Sequence, residues 1–241
     1  MKWNMKQALL TFLISLFTLG GFYLLTLFFP GIFFKDIVQV ENLKLYSNGE
    51  KQENVISVAN IALSKIKNSP LYDPQLVYKV FLCDTVFCFT YFANTNKNVG
   101  GIAYIYFNGN TFIRPSDVAQ NKIIRASGVL LNDPDRSLSY YIAHEVTHAM
   151  TVNEVGRLRY FNLPVWVQEG YADYVAKGSL NFEDARERLR SNEREFNPKE
   201  SGLYLRYHLM VQYLLEEKGA TVEELLQNNE EIKDIVYELL E

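Results

Sequence analysis

The order of periodicities along this 241-residue chain predicts an α+β protein: one long apolar helix, a small and mainly antiparallel sheet, then a helical half. Three observations predict it. Gln7 to Phe34 runs for 28 residues without a charge. Between Gln75 and Pro115 apolar residues alternate with a period near 2 around turn residues. From Tyr140 to Leu240 the period is 3.6, in segments separated by Gly, Pro and Asn. The chain therefore divides into an amino-terminal anchor, residues 1–35, and one domain, residues 36–241.

The 28 uncharged residues exceed the roughly 20 that cross a bilayer core, so Ala8 to Phe29 reads as a single membrane-spanning helix ended by Pro30-Gly31. A cleaved signal peptide is the alternative. Its apolar region is usually about 7 to 15 residues long, and Leu19-Gly20-Gly21 makes a poor cleavage site, so an uncleaved anchor is expected. Lys2 and Lys6 precede the span, while Lys35 and Asp36 after it largely cancel. The positive-inside bias then keeps the amino terminus in the cytoplasm and places the domain outside it. Hydrophobic residues make up 48% of the chain and charged residues 22%, with a formal net charge of -4, a balance that fits a folded domain. The basic residues form no stripe, so no nucleic-acid partner is expected; the oligomeric state is open.

Asp36 to Tyr46 is a stalk or a first strand, and Asn48-Gly49 a turn. Val55, Val58, Ala59, Ala62, Leu63 and Ile66 mark a helix, followed by a loop over Leu71 to Pro74. Gln75–Cys83 and Phe87–Phe92 read as strands joined through Asp84-Thr85-Val86. Gly101–Phe107 and Thr111–Pro115 read as a second pair around Asn108-Gly109-Asn110. Cys83 and Cys88 flank the first turn, and in an exported domain a disulfide between them is expected, with two buried thiols as the alternative. Ser116 to Ser127 suggests a helix or helical crossover with Arg114 and Arg125 exposed, and Gly128 to Arg136 a loop. Val152 to Leu163, with Arg157, Arg159 and Tyr160, reads as a solvated polar loop, with a loop that lines the cleft as the alternative. Later helices are expected over Asn181–Arg190, Leu203–Leu215, Thr221–Leu226 and Glu231–Leu240. Asn197-Pro198 to Gly202 breaks the run, Lys218-Gly219 ends the third helix, and Thr221 with Glu224 forms a capping box.

Two of the three histidines lie in Tyr140-Tyr-Ile-Ala-His144-Glu145-Val146-Thr147-His148-Ala-Met150. Four residues are about 400 degrees of helical rotation, which stacks His144 and His148 on one face within reach of one metal ion. Asp135 or Ser137 is placed to cap this helix. Glu145 sits about 100 degrees round from His144, suited to a water held by that ion rather than to the ion itself. A catalytic zinc takes three protein ligands and keeps one position open. Glu169 supplies the third, on a second helix that starts after Pro164 and lies 21 residues past His148. Asp173, one turn further on, is placed to accept the free ring N–H of a ligating histidine. Gly170 beside Glu169 suggests a close approach to a neighbouring helix.

The pair His-Glu-Val-Thr-His and Trp-Val-Gln-Glu-Gly-Tyr-Ala-Asp-Tyr resembles the gluzincin arrangement of zinc metallopeptidases, which includes the thermolysin-like, aminopeptidase-like and small peptidase MA-like enzymes. The resemblance covers about 35 residues and is weak elsewhere. It implies a zincin-like fold, zinc (Zn2+) held by His144, His148 and Glu169, Glu145 as general base, and Asp173 supporting a histidine. It also implies an edge strand that pairs with extended substrate, without saying which strand. Family members often place a tyrosine or histidine beyond the glutamate ligand to steady the oxyanion, making Tyr204, Tyr207 and His208 candidates. The expectation is a membrane-anchored zinc peptidase acting on peptide or protein substrates. An endopeptidase is favoured because a Gly-x-Met-Glu-Asn stretch, which reads a free amino terminus, is missing. A zinc hydrolase of another bond, or an idle zinc-stabilised binding domain, is the alternative.

Overall fold

The computed structural model describes residues 5–94, 98–106, 109–201, 203–227 and 232–240. Its first element, α1 (Met5–Phe28), is about 36 Å long at 1.5 Å per residue, and is long and apolar enough to cross a membrane. Its side chains are exposed until the last turn, where Thr26 and Leu27 are buried. There Tyr23 donates to the carbonyl of Tyr91 (3.0 Å), Thr26 bonds the Tyr91 hydroxyl (2.7 Å), and Asn110 donates to the carbonyl of Leu27 (3.1 Å). A 3-10 turn, Pro30–Phe33, then ends the apolar segment.

The stretch from Asp36 is a strand, not a stalk. β1 (Asp36–Val40) and β2 (Leu43–Ser47) form an antiparallel hairpin through Glu41 at φ 48°. α2 (Gln52–Ile66) buries the six apolar residues that its periodicity marks. It is a crossover, so β3 (Tyr78–Leu82) returns parallel to β2.

The second strand of the expected first hairpin is a helix, α3 (Val86–Phe92). Thr85 caps it by accepting from the backbone N–H of Cys88, and Phe89 and Phe92, three apart, face the core. Local capping and a one-sided apolar face override the β propensity of Val, Phe, Thr and Tyr. Cys83 and Cys88 are correspondingly free thiols, Cys88 bonding to a Cys83 whose pKa burial pushes up, rather than the expected disulfide.

β4 (Gly101–Ala103) and β5 (Thr111–Ile113) form the second expected hairpin; Phe107 and Asn108 of its turn lie outside the described residues. β5 also pairs parallel with β3. The sheet order is β1-β2-β3-β5-β4, and with two parallel and two antiparallel ladders it is mixed, not mainly antiparallel. Helices at both β2–β3 and β3–β4 connections produce the difference.

The helix expected over Ser116–Ser127 is instead a small hairpin, β6 (Ser116–Asp117) with β7 (Lys122–Ile123). Asp117 accepts from the N–H of Gln120 and Asn121 takes φ 54°, two turn features that stop helix propagation. Asn121 then accepts from the N–H groups of Leu138 and Ser139, fixing the start of the next helix.

That helix, α4 (Leu138–Val155), is capped by Ser137 and buried along its whole length from Leu138 to Val152. After Gly156, at φ 77°, comes α5 (Arg157–Asn162), where a solvated loop was expected. α6 (Val165–Lys177), α7 (Phe182–Arg190) and α8 (Pro198–Ser201) follow. α9 (Leu205–Gln212) continues as a π-helical turn over Tyr213–Glu217, and α10 (Val222–Leu225) opens with the expected capping box. α11 (Ile232–Leu240) ends the fold. α4 is the partition of the domain: α2 and the sheet pack on one side of it, α6 and α9 beyond the other.

Candidate metal centre

His144 and His148 point their Nε2 atoms at one another, 3.2 Å apart, because four residues of α4 bring them to the same face. From α6, Glu169 Oε2 lies 3.3 Å from the His144 Nε2 and 3.8 Å from the His148 Nε2. Four-coordinate zinc with bonds of about 2.1 Å sets neighbouring ligand atoms about 3.4 Å apart. The three atoms therefore have the spacing of three corners of one tetrahedron, and can hold a single metal ion. Gly170 makes this placement possible: a Cβ there would lie 2.5 Å from the carbonyl oxygen of Tyr207, so α6 and α9 touch backbone to backbone next to Glu169.

Each histidine has its own support. His144 Nδ1 bonds Asp173 Oδ1 at 3.1 Å; the same carboxylate accepts from the Tyr140 hydroxyl at 2.5 Å and from Lys177 at 2.6 Å. His148 Nδ1 bonds the Tyr160 hydroxyl at 2.9 Å. With the outer nitrogens so engaged, both inner Nε2 atoms are directed at the cluster. Burial works to lower the His144 pKa, but the bonds to Asp173 and Glu169 outweigh it and hold it at about 10. Burial lowers His148 to about 4. Burial would raise Asp173 and Glu169, yet His144, with Lys177 at Asp173 and His148 at Glu169, holds both carboxyls below their ordinary values.

Glu145 lies beside the cluster, its pKa raised to about 7 by burial and by Glu169 against the pull of His144 and a backbone bond from Ala103. β4 runs directly over it. A Cβ on Gly101 would sit 2.7 Å from Glu145 Cγ, and one on Gly100 would sit 2.0 Å from the Tyr141 ring. β4 is one of the two edge strands of the sheet, opposite β1, and it walls a cleft of about 430 Å³ with Glu145, Tyr160 and Tyr204.

Of the three downstream candidates, Tyr204 alone lines this cleft, its ring stacked on His144 at 6.3 Å. Tyr207 stacks behind Tyr204 at 5.9 Å, and His208 is buried against the edge of Tyr174. Tyr160, expected in a solvated loop with cleft lining as the alternative, does line the cleft; sequence reasoning missed Lys177 and the Gly100-Gly101 pair. Lys177 is readable as an i,i+4 partner of Asp173. Gly156 followed by an apolar-spaced segment is the available signal for the helix that carries Tyr160.

Comparison with protein families, curated proteins and solved structures returns no match to this chain.

Proposed function

We propose that this chain is a zinc-dependent peptidase of the gluzincin type with a zincin-like domain, and that an extended peptide lies in the cleft along β4. One observation carries the reading: a buried carboxyl of raised pKa, Glu145, sits between three converging ligand atoms that can hold one metal ion and an edge strand that meets it through Gly101. A zinc ion held by His144, His148 and Glu169 supplies a Lewis acid and lowers the pKa of water.

The chain's own groups do the rest. Glu145 accepts the proton of the attacking water, and its pKa near neutrality lets it return that proton to the leaving amine. Asp173 and Tyr160 fix the ring orientations of His144 and His148. Tyr204 offers its hydroxyl to the carbonyl oxygen as negative charge develops there. Gly100 and Gly101 let β4 pack directly against Tyr141 and Glu145, which holds the Glu145 carboxyl in place at the edge of the cleft. With Lys6 at one end of α1 and few charges at the other, the domain lies outside the cytoplasm.

The test is zinc content and hydrolysis of a fluorogenic peptide set by the purified chain and its Glu145→Gln variant. Stoichiometric zinc in both, with hydrolysis lost by about 10²-fold or more in the variant, is expected. Equal hydrolysis by both proteins removes Glu145 from the chemistry, and a zinc-free wild type removes the metal.

A further inference from the structure

Beyond Gly100 the cleft continues into a second hollow of about 320 Å³. The two share Asn98, Gly100, Arg136 and Tyr141, and the hollow adds Arg114 and Arg125. Arg114, expected at the surface, is 5% exposed. Its Nη1 donates to the carbonyl of Val99 at 3.2 Å, while its Nε is buried with no hydrogen-bond partner among the described residues. Arg136 lies over the Tyr141 ring, 5.4 Å from its centroid. Asp133 is near enough to Tyr141 to act on its phenol, yet none of the three arginines forms an ion pair among the described residues.

This is unexpected in a chain with 28 acidic and 24 basic residues. A buried guanidinium without a carboxylate is costly, and burial pulls the Arg114 pKa down accordingly. Buried Arg114 and half-buried Arg136, with the exposed Arg125 at the rim, put three guanidinium groups without an ion pair around one hollow, and their forked donors match a carboxylate. The hollow adjoins the cleft that holds Glu145: Tyr141, which lines both, precedes Glu145 by one turn of α4.

We propose that Arg114, Arg125 and Arg136 form an anion subsite, continuous with the cleft, that receives a carboxylate of the substrate. The substrate class is then an acidic peptide, the carboxylate being an Asp or Glu side chain or a free carboxyl terminus. This rests on the peptidase reading above.

The experiment uses the full chain in detergent micelles and peptides of one sequence that differ as Glu against Gln, and as free against amidated carboxyl terminus. The acidic or free-ended peptide is expected to exceed its neutral counterpart in kcat/KM by about tenfold or more. In Arg125→Gln and in Arg136→Gln that ratio falls to within about twofold of one. A preference confined to Glu identifies the side chain; one confined to the free end identifies the terminus. Equal cleavage of all four peptides overturns the subsite. Fluorescence anisotropy of the same peptides on Glu145→Gln separates the two readings. If the wild type cleaves nothing but this variant binds the acidic peptide more tightly, and the arginine substitutions remove the difference, the subsite stands and the peptidase reading falls. Equal binding of acidic and neutral peptides sinks the subsite.

Discussion

The two sides of α4 contribute to the site in opposite ways. The helical side brings side chains: Glu169, Asp173 and Lys177 from α6, Tyr160 from α5, Tyr204 beside α9. The sheet side brings backbone, since β4 meets Glu145 and Tyr141 through two glycines. On one side function depends on what is present at a position, and on the other on what is missing from it. Deleting atoms should therefore damage the first side, and adding a methyl group the second.

The sharpest way to break that contrast is Asp173→Ala. It strands the Lys177 ammonium, the Tyr140 hydroxyl and His144 Nδ1 around a buried hole. Unfolding free energy should fall by about 3–5 kcal/mol, and zinc affinity by about 10- to 100-fold. Denaturant titration and chelator competition measure the two; unchanged values in both would show that the helical side does not depend on this carboxylate.

Acid sensitivity tests the same side without touching a ligand. Burial lowers the His208 pKa to about 4, below the 6.5 of an exposed ring. Between those values the unfolded chain binds more protons than the folded one, so stability falls as pH falls from about 6.5 to 4. Replacing His208 with Leu should remove up to about 3 kcal/mol of that loss. Parallel pH series of unfolding free energy that coincide for both proteins would count against the buried neutral ring.

On the sheet side, Gly101→Ala inserts a methyl group where Glu145 Cγ and Ile113 Cδ1 already lie 2.7 and 2.9 Å away. The carboxyl must move, and kcat should fall by about 10²-fold while zinc content holds. A fully active variant would mean that strand and helix separate freely. Smallest is Tyr160→Phe, which removes one hydrogen bond from His148 and should cost about 1 kcal/mol of stability and about tenfold in zinc affinity.

The same contrast explains what the sequence revealed. The ligand cluster was legible because its signals are local: a four-residue spacing on α4, a serine cap, a glutamate and an aspartate one turn apart on α6. The helix that carries Tyr160 was not, because it follows a left-handed glycine that sequence reading treats as the start of a loop. The sheet was read least well. Its parallel ladders join residues more than 30 positions apart, as in Leu43 with Tyr78, and leave no local trace. Val86–Phe92 has strand-like composition and was turned into a helix by one threonine cap and by packing. Gly100 and Gly101 carry no signal but the lack of a side chain, and Arg114 was misplaced because nothing near it in the chain announces that it is covered.

The hydrogen bonds that Tyr23 and Thr26 make to Tyr91 give the molecule a fixed posture. Tyr23 lies five residues, about 7.5 Å, inside the end of α1, so the body of the domain is bolted to the helix below its tip rather than strung from it. In a bilayer crossed by α1, that geometry would leave no leash: the cleft would be held at one height and one tilt relative to the lipid.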